Sequence, residues 1–144
     1  MFKSVLFVCV GNICRSPSAE VMLRDTVAGK GIQVSSAGLG ALVGHGLDAT
    51  ASQLLMEHGL NGGLHHARQV DDAILAAADL VLVMERKHVR RIAEIAPQAS
   101  GKTFLLGKWQ QDREIPDPYR QQRPAFEHVY KLMAEGVESW ARHL

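Results

Sequence analysis

Cysteine is scarce: Cys9 and Cys14 are the only two in 144 residues. Two do not make the disulfide framework of a small secreted scaffold, so both are expected as thiols in a reducing cytoplasm. Long apolar runs are missing as well. No segment approaches the roughly 18 consecutive apolar residues that a membrane span needs, and residues 1–4 carry no separate charged region of the kind that opens a signal peptide. Membrane insertion is therefore not expected. Nor is there a surplus of one charge, because 16 Lys and Arg face 15 Asp and Glu. A dedicated nucleic-acid binder shows a strong basic bias, so nucleic acid is not an expected partner. What remains is an ordinary apolar share of 47%, enough for one compact domain over residues 1–144 with a real core.

Within that length, short apolar runs alternate with helix-periodic stretches. Residues 5–10 form a continuous apolar run, the pattern of a strand buried on both faces. Pro17 suits a first helical turn, and Ala19, Met22, Leu23 and Val27 recur at helical spacing before Gly29 and Gly31. Further strands are predicted over 32–37, 80–84 and 103–106. Helices are predicted over 51–58, 71–78 and 86–96. Residues 39–48 and 107–123 read as loops. A last helix carries Phe126, Val129, Tyr130, Met133, Val137, Trp140 and Leu144 on one stripe, which is core packing. The basic run Arg86-Lys87-His88 with Arg90 and Arg91 reads as a solvated helix face. Alternating strands and helices imply an α/β fold with an open parallel sheet covered on both faces. Ligands of such sheets bind at the carboxyl ends of the strands.

The segment leaving the first strand is Cys9-Val10-Gly11-Asn12-Ile13-Cys14-Arg15-Ser16-Pro17. Gly11 permits close approach of backbone to a ligand. The successive amides of Val10, Gly11, Asn12, Ile13, Cys14, Arg15 and Ser16 can converge into an anion nest, reinforced by the N-terminus of the next helix. Arg15 adds a planar fork of donors for phosphate oxygens. A Cys9 thiol facing this electropositive hollow is stabilised as thiolate and stands in line for attack on phosphorus, with Ser16 able to hydrogen-bond the sulfur. A lone cysteine at a strand end is usually packing; Cys, five residues, Arg and Ser-Pro between a strand and a helix is far more specific. Cys14 is either packed beneath the loop or a partner that captures an oxidised Cys9 as a disulfide. No cofactor or metal is called for, since the seven histidines show no ligand spacing with cysteines or carboxylates.

The run from Val8 to Pro17 resembles the phosphate loop of the low-molecular-weight protein tyrosine phosphatases. Ser36-Ala37-Gly38, His65-His66-Ala67-Arg68-Gln69, the strand ending in Met84, and Ile115-Pro116-Asp117-Pro118-Tyr119 follow in the family's order, so the resemblance covers essentially the whole chain. It implies a three-layer sandwich around a four-stranded parallel sheet of order 2-1-3-4. It implies that Asp117 is the general acid and base; by itself, an Asp before proline is a common turn former. It implies that Asn12, Ser16, Ser36 and His65 hold the loop in shape. The walls of a phosphotyrosine-deep cleft would be Ile13, Leu39, Leu42, His45 and Tyr119. Residues 38–46, 107–109 and 115–120 look like the bacterial subgroup tied to capsule and exopolysaccharide export, whose partner is an autophosphorylating tyrosine kinase. A cytoplasmic monomer acting on a phosphotyrosyl protein is the expectation.

Alternatives of the same fold are disfavoured by particular residues. Arsenate reductases need further downstream cysteines, and none follows Cys14. The family's protein-arginine phosphatases carry Thr where Ile13 stands. A run resembling a nucleotide loop, residues 96–103, follows a predicted helix and precedes a strand, the reverse of what a nucleotide loop needs. A non-catalytic phosphate-binding module is the alternative from another class.

Overall fold

A computed structural model describes residues 2–144. Four strands, β1 (Ser4–Cys9), β2 (Gln33–Gly38), β3 (Leu80–Val83) and β4 (Thr103–Leu105), pair in parallel in the order β2-β1-β3-β4. The helices are α1 (Arg15–Thr26), α2 (Ala49–Glu57), α3 (Asp72–Ala77), α4 (Arg86–Ile95) and α5 (Arg123–Ala141). This is the expected sheet and order.

Period-two alternation along β1 divides the core. Val5, Phe7 and Cys9 point into a cluster with Leu23 of α1, Leu55 of α2 and Phe126, Met133 and Trp140 of α5. Leu6 and Val8 point into a second cluster with Leu75 of α3 and Ile92 of α4. Both faces of β1 are therefore dry, which is why it reads as an unbroken apolar run. The register sets Cys9 opposite Gly38 at the carboxyl edge of the sheet. Each large apolar side chain buried here contributes about 1.5–3 kcal/mol, so the α5 stripe is a principal clamp on α1 and the sheet.

Two boundaries matter for the site. β1 stops at Cys9, one residue short of the apolar run, and Val10 turns outward. α1 begins at Arg15, ahead of Pro17, with Ser18 N–H donating to the Cys14 carbonyl. Arg15 and Ser16 thus belong to a rigid first turn, and Pro17 removes an amide that has no intrahelical acceptor there.

Residues 96–103 form a 3-10 turn, Pro97–Lys102, between α4 and β4. Lys102 donates to the Ala78 carbonyl and Thr103 to that of Ala99, so this is a helix-to-strand connection, as read from its context. The basic face of α4 is solvated except at His88, which is buried. No helix among the described residues is long and apolar enough to cross a membrane.

Candidate active site

From Cys9 to Ile13 the chain turns its carbonyls away from a central hollow. The Cys9, Val10 and Gly11 carbonyls accept from the amides of Leu39, Gly40 and Leu42, and the Ile13 carbonyl accepts from Asp48. The Asn12 carbonyl accepts from His65 Nε2 at 2.6 Å; because a carbonyl only accepts, that nitrogen carries the proton. With the carbonyls outward, the loop amides face inward, the geometry of an anion nest.

Asn12 is the centre of this arrangement. It is fully buried with φ at +58°, left-handed backbone that asparagine tolerates better than most side chains. Its Nδ2 donates to Ser16 Oγ at 2.9 Å and Ser36 Oγ at 3.0 Å, while Oδ1 accepts from the Arg68 amide at 2.9 Å. Ser36 Oγ in turn donates a hydrogen bond to Glu20 Oε1. Gly38 completes the frame, because a Cβ there would stand 2.4 Å from the Val10 carbonyl oxygen.

Cys9 is a buried free thiol at the floor of the hollow, with Sγ 2.9 Å from Ser16 Oγ. Asn12 donates to that oxygen as well, and the Ser16 hydroxyl has two acceptors in reach, the Cys9 sulfur at 2.9 Å and the Ala37 carbonyl at 3.5 Å, of which the sulfur is the nearer. Cys14 is buried too, facing both the cleft and an apolar cavity against Leu54, Phe126 and Met133. Burial first, then the charges of Asp48, Cys9 and Asp117, push its thiol up, so at neutral pH it is protonated.

Arg15 is 2% exposed, and its Nη1 donates to Glu85 Oε2 and to the Ile115 carbonyl, both at 2.7 Å. Nη2 lies 3.7 Å from Asp117 Oδ2. One edge of the guanidinium is thus locked from behind, and the other is available to a ligand. Burial raises the Glu85 carboxyl, but the hydrogen bond and charge of Arg15 outweigh it and hold the group below the ordinary carboxylate range. Behind Glu85, burial and then the Arg15 charge push His88 down to about 4, so its imidazole is neutral at neutral pH. His88 Nδ1 accepts from the Glu85 amide.

Asp117 reaches the site on a tethered loop. The Ile115 amide donates to the Met84 carbonyl at the end of β3, and Arg86 pairs with Glu114 at 3.0 Å. Tyr119 N–H donates to Asp117 Oδ1 at 3.0 Å, fixing the carboxylate in a local turn. Cys9, the loop through Arg15, Gly40, Leu42, Asp117 and Tyr119 together line one narrow cleft of about 160 Å³. A larger cavity of about 530 Å³ lies behind the loop, lined by Ser36, His65 and Arg68 and not by the thiol.

Leu39 and His45 do not line the cleft. The Leu39 amide continues the pairing of β2 with β1, so its side chain packs onto the second core cluster. His45 is exposed and joins the frame through its backbone, to Leu42 and Ala67; Gly40 stands in the wall instead. Glu85 and Glu20 lie outside the motifs named above, and Arg68 stands inside one without a role of its own, yet all three support the site. Glu85 was findable, since it follows a predicted central strand at the sheet edge where ligands bind.

Known proteins share this chain's whole length. The low molecular weight protein-tyrosine-phosphatase Wzb of Salmonella typhimurium is 46% identical over 144 residues, covering 100% of this chain and 95% of that one. The structure of Vibrio vulnificus Wzb in complex with benzylphosphonate superposes with a TM-score of 0.96 at 40% identity, covering 100% of both chains. The YwlE arginine phosphatase from Geobacillus stearothermophilus is more distant, with a TM-score of 0.91, 30% identity, and coverage of 97% of this chain and 91% of that one. Residues 4–144 match the family described as low molecular weight phosphotyrosine protein phosphatase, and the chain belongs to that family.

Proposed function

We propose that this protein hydrolyses phosphotyrosine in proteins through a phosphocysteine intermediate, and that its partner is an autophosphorylated bacterial tyrosine kinase of capsule or exopolysaccharide production. The observation that carries the reading is the meeting of Cys9, Arg15 and Asp117 in one cleft from opposite ends of the chain. In the first step the Cys9 thiolate attacks phosphorus. The bond from phosphorus to the tyrosyl oxygen breaks, and Asp117 gives that oxygen its proton. The loop amides and the free edge of Arg15 take the equatorial oxygens, whose charge they are already oriented to meet. Water then attacks the phosphocysteine, Asp117 receives its proton, and the thiolate departs towards the Ser16 hydroxyl. Tyr119 and Ile13 supply apolar walls for an aromatic ring, which favours tyrosine over serine or arginine. A thiol nucleophile needs reducing surroundings, so we assign the cytoplasm.

The test is a panel of phosphotyrosyl, phosphoseryl and phosphoarginyl peptides, with phenyl and p-nitrophenyl phosphate alongside. Phosphotyrosyl peptides are expected to be turned over well above the other two. Asp117→Asn is expected to lower kcat on phenyl phosphate by about 10²- to 10³-fold. The loss on p-nitrophenyl phosphate should be far smaller, because its leaving group needs little protonation. Equal losses on both would remove Asp117 as the acid.

Both thiols line the same cleft, which supports a protective Cys9–Cys14 disulfide. In peroxide, a sulfenic acid formed on Cys9 would be attacked by the Cys14 sulfur, whose thiol proton leaves with the sulfenic hydroxyl as water. External thiol would then reduce the disulfide and restore both. Cys14→Ser is expected to recover less activity than the parent after peroxide followed by dithiothreitol; equal recovery refutes the role.

A further inference from the structure

The cleft mouth carries a cation that the chemistry above does not use. Pro118 accepts from the Gln121 amide at 2.9 Å, which closes a four-residue turn with Arg120 in its third position. Arg120 has φ at +64°. In a turn of this kind that position belongs to glycine or asparagine, because a Cβ is strained there. The result is a guanidinium set 5.3 Å from the centroid of the Tyr119 ring, the ring that forms one wall of the cleft. Tyr119 and Arg120 are both exposed. Arg123, three residues on, is taken by Glu57 and Glu127, and Asp117 faces Arg15. Among the described residues Arg120 has no carboxylate within ion-pair distance.

We infer that Arg120 is a carboxylate subsite at the mouth of the cleft, selecting phosphotyrosyl segments with Asp or Glu beside the phosphorylated residue; this rests on the phosphatase reading. A phosphotyrosine reaching Cys9 must lay its ring along Tyr119. The side chains next to it in sequence then stay at the rim, where Arg120 stands beside Tyr119 and exposed Val10 and Leu42 offer apolar contact. The cation–π contact preorganises the guanidinium without neutralising it. An exposed ion pair of this kind is weak, and part of its effect is steering. Discrimination of about two- to fivefold follows, and it is sensitive to salt.

The experiment compares two phosphotyrosyl peptides that differ only in carrying Glu or Gln on either side of the phosphorylated residue. For the parent, kcat/KM on the Glu peptide should exceed that on the Gln peptide by about fivefold at low ionic strength. The ratio should fall towards one at about 0.5 M salt. Arg120→Gln should bring it to one, and Arg120→Glu should reverse it. Arg120→Gly, which suits the turn, should also abolish the preference, separating charge from loop conformation. A parent ratio of one, or a ratio that survives in Arg120→Gln, overturns the subsite. If the parent turns over p-nitrophenyl phosphate and the ratio is flat, only this inference falls. If it turns over neither p-nitrophenyl phosphate nor the peptides, the phosphatase reading falls, and the inference with it.

Discussion

Cys9→Ser should lower kcat on p-nitrophenyl phosphate by about 10⁴-fold or more while leaving a site that still binds phosphate. The size follows from the role: removing a nucleophile from a machinery whose parts act as a unit costs nearly the whole covalent route. A serine hydroxyl in that position is close in shape, so the nest and Arg15 are undisturbed, but it is a far weaker acid than a thiol and stays protonated at neutral pH, where it is a poor nucleophile. Ser16, 2.9 Å from the sulfur in the parent, is no base for that hydroxyl, because an alcohol oxygen is far too weakly basic to take up a proton at neutral pH. Turnover is measured on the aryl phosphate and binding by titration with inorganic phosphate. A non-catalytic phosphate-binding module predicts no parent turnover at all. Survival of turnover within tenfold of the parent would remove Cys9 as nucleophile and with it the phosphocysteine route.

The cleft was legible in the sequence to the extent that its parts are local. Nine consecutive residues carry the strand end, the thiol, the loop and the opening of α1, and a local segment can be read without knowing the rest of the fold. Asp117 was not legible in this way. Its proximity to Cys9 depends on the Ile115 amide bonding at the end of β3, a contact that no spacing encodes, and it came from family resemblance alone. Leu39 and His45 show the opposite failure. Residence in the right loop says nothing about which face a side chain takes, and continued β pairing sends Leu39 to the far side of the sheet. His88 sits among basic neighbours that are solvated, yet it stands four residues before Ile92 on the buried stripe of α4. Helical periodicity was the better guide there than local charge.

Glu85 has consequences for Arg15 that a phosphate-binding arginine alone does not. The two form a nearly dry pair: the arginine is 2% exposed and the glutamate side chain 19%. Removing Glu85 leaves the buried guanidinium with only the Ile115 carbonyl and the more distant Asp117, a loss on the order of 1–3 kcal/mol. Glu85→Ala should therefore lower the urea midpoint strongly as well as activity. Glu85→Gln, which can still accept from Nη1, should keep more of both.

Arg15→Lys is the sharper experiment and the second large effect. The substitution keeps the positive charge and loses the fork. An ammonium carries three donors on one nitrogen, and it cannot at once meet Glu85 Oε2 and the Ile115 carbonyl, both held by Nη1 in the parent, and two phosphate oxygens on the guanidinium's other edge. With the lysine drawn to Glu85, the transition state loses its bidentate clamp, and removing one oriented donor of that kind costs about 10²- to 10³-fold in kcat. Losing the anchor to the Ile115 carbonyl also loosens the segment that carries Asp117, which then hangs on the Ile115 amide and the Arg86–Glu114 pair, so the total should reach the upper end of that range. The loop-anchoring part has its own signature. In Arg15→Lys the penalty on phenyl phosphate should exceed that on p-nitrophenyl phosphate, because a displaced Asp117 protonates poorly. If the two substrates lose equally, Arg15 acts on the phosphoryl group alone and its bond to Ile115 does not position the acid.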